Sequence, residues 1–152
     1  PTLEQKAQIV ENAVGALNNM GYENPKVAAL CAAEKLNEKA PESVDAAALK
    51  EMNEKGEIKD CVIEGPISYD IALSKEIADF KGFESPVAGD VDVLLVPDMA
   101  AGNFIGKSWV IQGGGRMTGL VVGAKAPIVL TSRGSGADEK FYSIVFAAAA
   151  SK

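Results

Sequence analysis

Histidine is absent from this chain of 152 residues. That removes Ser-His-Asp and Cys-His nucleophilic relays, HExxH zinc sites and His-ligated haem. Any chemistry must run on carboxylates, hydroxyls, amides, lysines or the only two arginines, Arg116 and Arg133. Cysteine is almost as scarce. Cys31 and Cys61 are too few for a disulfide framework, and each sits beside apolar residues, where a buried free thiol is the expectation. No apolar run approaches the ~18 residues that a membrane span needs, and Pro1-Thr2-Leu3-Glu4-Gln5-Lys6 does not have the form of a signal peptide. A basic cluster is missing too. Fifteen Lys plus Arg face 21 Asp plus Glu, a net charge of -6, so nothing offers the basic stripe that a nucleic acid or an anionic membrane requires. These absences point to a cytoplasmic protein with no nucleic-acid, membrane or metal partner.

What remains is ordinary globular composition, with length for one domain and one core. Leu3, Ala7, Val10, Val14 and Leu17 step by four and three, predicting a helix of four to five turns. Lys26 to Cys31 reads as a buried strand, and Pro41-Glu42-Ser43 as the cap of an alanine-rich helix ending near Gly56. Cys61-Val62-Ile63 is a second strand, closed by Gly65-Pro66, and Tyr69 to Phe80 a helix. Val91 to Val96 is the strongest strand, followed by a helix from Ala101 to Arg116 that its glycines weaken. Gly119 to Gly123 and Pro127 to Thr131 are strand-like, and Asp138 to Ala150 is a closing helix. Strands alternating with helices imply an α/β fold of three layers, a mostly parallel sheet with helices on both faces.

In such sheets ligands bind beyond the carboxyl ends of the strands. Three clusters meet that description and are expected on one edge: Glu64-Gly65-Pro66 through Asp70, Pro97-Asp98 through Gly102-Asn103, and Thr131-Ser132-Arg133-Gly134 through Asp138-Glu139. The last has the outline of an anion site, with small residues, free amides at a helix start and a guanidinium fork. A solvated flexible loop is the plainer alternative. A carboxylate beside an anion tends to a raised pKa, so Asp138 or Glu139 would suit a general base; an acidic pair at a helix start is the commoner use. Asp98 and Asn103 either orient a polar ligand or cap their helix. Gly113-Gly114-Gly115 lacks the order of a dinucleotide or phosphate loop. Trp109 and Met117 read as core or subunit interface.

Five segments carry a resemblance. Ser85 to Asp98, Ala101-Gly102-Asn103 and Val122 to Arg133 closely resemble the phosphate acetyl/butyryltransferase family, while the first thirteen residues and Glu64 to Asp70 look like its butyryltransferase branch. The resemblance implies a C-terminal phosphate acyltransferase domain over residues 1–152, the family's N-terminal half being absent. It implies acyl exchange between coenzyme A and phosphate, with coenzyme A as substrate and no permanently bound cofactor, and a homodimer. By the same resemblance Ser132 and Arg133 belong to the active site, and the acetyl branch's basic aspartate falls by spacing at Glu139, beside Asp138. Gly65, Pro66, Asp70, Asp98, Gly102, Asn103 and Gly134 are the expected substrate-binding residues. A non-catalytic domain that binds coenzyme A or acyl phosphate for regulation is the alternative, and a purely structural dimerisation module the third.

Overall fold

The computed structural model describes Pro1 to Ser151. Its first helix, α1 (Leu3–Asn19), starts in a capping box: Thr2 Oγ1 accepts from the Gln5 amide, and the Gln5 side chain accepts from the Thr2 amide at 2.9 Å. Ala7, Val10 and Val14 form its buried face. Strand β1 (Lys26–Leu30) leads through a loop to α2 (Pro41–Glu54). Ala40, not Ser43, occupies the cap position, with Pro41 at the first turn. Ser43 is buried instead. Its Oγ accepts from the Asn37 amide at 2.9 Å and donates to the Lys35 carbonyl at 3.3 Å, so it pins the loop that leaves β1.

Strand β2 (Val62–Ile67) runs straight through Gly65-Pro66, which had been expected to close it. Pairing with β1 shifts register there and resumes at Leu30 opposite Ile67. A Cβ on Gly65 would lie 2.8 Å from the Ala46 carbonyl oxygen and 2.9 Å from Ala29 Cβ, so the glycine lets α2 lie close on the sheet. The single helix expected over Tyr69–Phe80 is two, α3 (Tyr69–Leu73) and α4 (Lys75–Phe80). Extended Ser74 separates them and caps α4 through Ile77 N–H, while Gly89 N–H donates to the Ile71 and Ala72 carbonyls at 3.1 Å each. Strand β3 shrinks to Val93–Leu95. Helix α5 (Met99–Ile111) stops before the glycine run rather than reaching Arg116.

β2, β1 and β3 form one parallel sheet in that order. The α/β reading holds, but the last two strands do not extend this sheet. β4 (Leu120–Val121) and β5 (Ile128–Val129) pair antiparallel as a separate ribbon. The reason is the connection: residues 122–127 suffice for a hairpin, whereas a parallel crossover takes roughly a dozen residues or more. Helix α6 (Ala137–Ala150) closes the chain. Ser143 Oγ accepts from Gly119 N–H at 3.1 Å, and Asn19 Nδ2 donates to the Ala150 carbonyl at 3.0 Å, tying α6 to the ribbon and to α1.

Alternation along β1 builds two cores. Val27 and Ala29 face Val10, Ala46 and Leu49 from α1 and α2. Ala28 and Leu30 face Ile67, Ile71, Ala78 and Val87, with Ile105 of α5 packed against them. The layers are therefore α1/α2, sheet, and α3/α4/α5. Lys6 is buried and pairs with Asp45 at 2.7 Å between α1 and α2, and Lys50 meets buried Glu64 at 2.8 Å between α2 and β2. Both cysteines are buried free thiols. Among the described residues no helix is long and apolar enough to cross a membrane.

Candidate active site

The topology selects the place where a ligand can enter. From the carboxyl end of β1 the chain turns to α2 on one face, and from β3, its neighbour in the sheet, to α5 on the other. The two connections diverge and leave a crevice at a topological switch point. A cleft of 440 Å³ lies there, lined by Leu30, Cys31, Ala32, Glu42, Tyr69, Pro97, Asp98 and Ile105. Its floor is apolar and its two charged groups are carboxylates. Asp98 Oδ1 caps α5 by accepting from Ala101 N–H at 2.9 Å, leaving the second oxygen outside that bond.

Flanking Tyr69 in the chain, Ser68 and Asp70 belong to a charged cluster. Lys81 Nζ lies 2.6 Å from Glu34 Oε1 and 2.9 Å from Asp70 Oδ2, and Ser68 Oγ donates to Asp70 Oδ1 at 2.6 Å. The Ser68 hydroxyl, then Lys81, pulls the Asp70 carboxyl down to about 2. Asp70 therefore anchors the loop after β1, through Lys81 and Glu34, to the start of α3. On the cleft wall Trp109 Nε1 donates to Tyr69 Oη at 2.5 Å. Trp109 is 45% exposed, so of the two alternatives, core or subunit interface, it is not core, and Met117 is only partly buried, with its methyl against Gly106. Desolvation raises the Cys31 thiol, which keeps it protonated and unreactive at neutral pH.

Only two of the three expected clusters follow strands of the parallel sheet. Asp98 is at the crevice, and Tyr69, next to Asp70, lines it. Gly102 packs under Val96, and Asn103 is exposed on α5. Gly65 and Pro66 sit inside β2, where Gly65 serves packing. Ser132, Arg133 and Gly134 follow the ribbon, not the sheet, and none of the residues lining the cleft lies beyond Ile105. Their loop closes in a turn, with Ser135 N–H on the Ser132 carbonyl at 3.0 Å. All three are exposed, and Arg133 makes no ion pair among the described residues. Arg116, by contrast, stacks over Tyr142 at 5.5 Å.

The two carboxylates of this loop differ. Glu139 Oε1 accepts from Met117 N–H at 3.3 Å, and its carboxyl is lowered, first by the Ser135 hydroxyl and then by that amide. These hydrogen bonds favour the charged form of Glu139. Asp138 is exposed in the first turn of α6 and makes no side-chain hydrogen bond among the described residues. Sequence reasoning missed Leu30 to Ala32, Glu42 and Ile105. The first three were within reach, because the strand-end rule applies to β1 as it does to β2 and β3.

A model of the phosphate acetyl/butaryl transferase family matches residues 1–148. The chain belongs to this family. Phosphate acetyltransferase of Thermotoga maritima is 44% identical over 148 residues, covering 97% of the chain and 50% of the relative. Phosphate butyryltransferase of Clostridium acetobutylicum is also 44% identical, with 97% and 49% covered. Among solved structures, a branched-chain phosphotransacylase from Enterococcus faecalis V583 superposes with a TM-score of 0.90 at 37% identity, over 99% of this chain and 54% of that one. The chain spans about half the length of the family relatives it matches. Its α/β fold is that of the family, whose named members are acyltransferases.

Proposed function

We propose that the chain is the C-terminal half of a phosphate acyltransferase that moves an acyl group between coenzyme A and phosphate. A phosphate oxygen attacks the thioester carbonyl of acyl-CoA, the new C–O bond forms as the C–S bond breaks, and the departing thiolate takes up the proton that phosphate gives away. The products are acyl phosphate and coenzyme A. In the reverse direction a base removes the thiol proton, and phosphate leaves. The acyl group is activated in either direction, as thioester or as acyl phosphate, so the protein's task is alignment and charge stabilisation, for which histidine is dispensable.

The observation that carries the reading is 44% identity, through Ser132-Arg133, to enzymes named for both acetyl and butyryl transfer. An exposed guanidinium with no carboxylate partner among the described residues suits a phosphate, and Ser132 a reacting oxygen. Asp138 is the better base, since Glu139 is held by the Met117 amide. Acyl-CoA and phosphate are the partners, coenzyme A acts as substrate rather than resident cofactor, and the protein works as a cytoplasmic homodimer. A non-catalytic acyl-CoA sensor is not favoured, because the relatives are named as transferases. The test is release of coenzyme A thiol from butyryl-CoA in phosphate buffer by the complete protein. Thiol release that depends on phosphate and yields acyl phosphate supports the reading; saturable binding without release sinks it.

A further inference from the structure

Gly113-Gly114-Gly115, which fits no nucleotide-binding pattern, has a place of its own in the fold. It is the covalent joint between the sheet, whose two cores end at Ile105 of α5, and the ribbon and α6, which carry Ser132 and Arg133. The joint is folded back on α5. Gly115 N–H donates to the Trp109 carbonyl at 2.9 Å. A Cβ on Gly113 would lie 2.8 Å from that carbonyl oxygen and one on Gly115 3.1 Å, and Gly114 stands at φ +64°, so a side chain at any of the three would obstruct or strain the turn. Both ends of this clasp are held. Trp109 Nε1 donates to Tyr69 Oη at 2.5 Å, which fastens the residue under the glycines to α3. On the far side Arg116 stacks over Tyr142 of α6 at 5.5 Å, and Met117 is pinned twice: its methyl sits where Gly106 leaves room, and its N–H donates to Glu139 Oε1 at 3.3 Å. Glu139 stands in the first turn of α6, directly after the Ser132-Arg133 loop, which closes through Ser135 N–H on the Ser132 carbonyl. The bond from Asn19 reaches α6 at Ala150, roughly 16 Å along the helix from Glu139, too far off to fix that loop.

We propose that this clasp positions the phosphate site: Trp109, Gly113 to Gly115 and Met117 set where Ser132 and Arg133 stand against the sheet, with Gly114 as the pivot. The proposal rests on the acyltransferase reading above and adds to it residues that touch no substrate. A guanidinium stabilises a transferring phosphate only when it is held in place beforehand. The loop that bears Arg133 is exposed and follows a strand of two residues, so it has little packing of its own to hold it. The clasp provides that constraint from the sheet side, because each of its contacts ends either on α3 or α5 or at the start of α6.

The experiment uses the complete protein and grades the clasp at Gly114. Asparagine tolerates the left-handed region and a β-branched residue does not, so Gly114→Asn keeps the geometry that Gly114→Val breaks. In thiol release from butyryl-CoA, Gly114→Val should lower kcat by on the order of ten- to a hundredfold, the scale of misplacing a catalytic group by about 1 Å. Gly114→Asn should stay within about threefold of wild type. The second readout needs no turnover: emission of Trp109, the only tryptophan, is followed as inorganic phosphate is added. Phosphate at Arg133 should produce a saturable change that Arg133→Ala abolishes, Gly114→Asn preserves and Gly114→Val weakens by about tenfold. Wild-type rates in Gly114→Val, or equal losses in Gly114→Val and Gly114→Asn, overturn the clasp and leave the acyltransferase reading intact. Emission that ignores phosphate while thiol release depends on it does the same. A graded, Arg133-dependent phosphate response with no thiol release upholds the clasp and sinks the acyltransferase reading. If Gly114→Val fails to fold, Met117→Ala decides: without its seat on Gly106 it should show the same loss of rate and of phosphate response, and wild-type behaviour overturns the proposal.

Discussion

Two side chains carry charge arguments that can be checked singly. Arg133 lies in an exposed glycine turn and, unlike Arg116, is not stacked on an aromatic ring among the described residues. Arg133→Ala in the complete enzyme should lower turnover by about a hundredfold or more, the scale of losing one preorganised charge stabiliser, with near-normal rates excluding it from the mechanism. Asp70 offers a pH test. Its carboxyl sits below the usual 3.8, at about 2, through Ser68 and then Lys81. A depressed carboxyl stabilises the fold above its unfolded pKa, and the contribution disappears as pH falls through the folded value. Lys81 is raised by Glu34 and Asp70, so its share is present at neutral pH and is lost as pH rises through its folded value. Solvent reaches both partners and screens the pair, so the effect is small. Urea midpoints of wild type and Lys81→Met should differ by a constant amount from about pH 5 to 9 and converge toward pH 2. Convergence at neutral pH would remove the Asp70 and Lys81 link.

At the level of elements, the close approach of α2 to β2 rests on one glycine. Gly65→Ala would press a methyl onto Ala46 and Ala29. It should destabilise the fold by about 1–3 kcal/mol in denaturant titrations, as overpacking does; an unchanged midpoint would mean that the helix yields freely. The same region marks where sequence reading succeeds and fails. Helix α1 and the first parallel strands were legible because amphipathic spacing and short buried runs are local signals, and Val10, Val14, Val27 and Ala29 sit where those signals put them. Gly65-Pro66 reads locally as a stop, but a strand's continuation depends on its partner β1, whose residues lie about 36 positions away in sequence where no local rule sees them. The Tyr69–Phe80 break was hidden for a similar reason: Gly89, far along the chain, takes the carbonyls of α3. In the candidate site, Asp98 followed from the strand-end rule. Ser132-Arg133 stood out by chemistry, but its expected place in the sheet failed because a short connection forced a hairpin.

For the whole molecule, the cores and the surface tell different stories. Both cores are built from residues up to Ile105. Beyond them Phe104, Ile111, Leu130, Phe141 and Ile144 are each more than half exposed, which is far more apolar surface than scattered single residues account for. The chain should therefore self-associate at tens of micromolar, with a dimer as the first species in light scattering. A monodisperse monomer would show that α5, the ribbon and α6 tolerate water as they stand. Substituting Phe141 and Ile144 together by polar residues should weaken association without moving the unfolding midpoint, because neither belongs to a core.

The bond between Asn19 and the Ala150 carbonyl joins residues 131 apart in sequence, and this has a bearing on the order in which the protein assembles. Contacts that close such long loops form late, after local and mid-range pairings have reduced the search. On the ribosome, α1, β1 and α2 can settle with β2 and β3 long before α6 has been synthesised, so the last helix docks onto a scaffold already standing. Hydrogen exchange should keep that history in view: amides of β1, at the centre of the sheet, are expected to open only with global unfolding, whereas those of α6 exchange through a cheaper, separate detachment. A single protection level across β1 and α6 would mean that the closing helix is part of the cooperative nucleus after all.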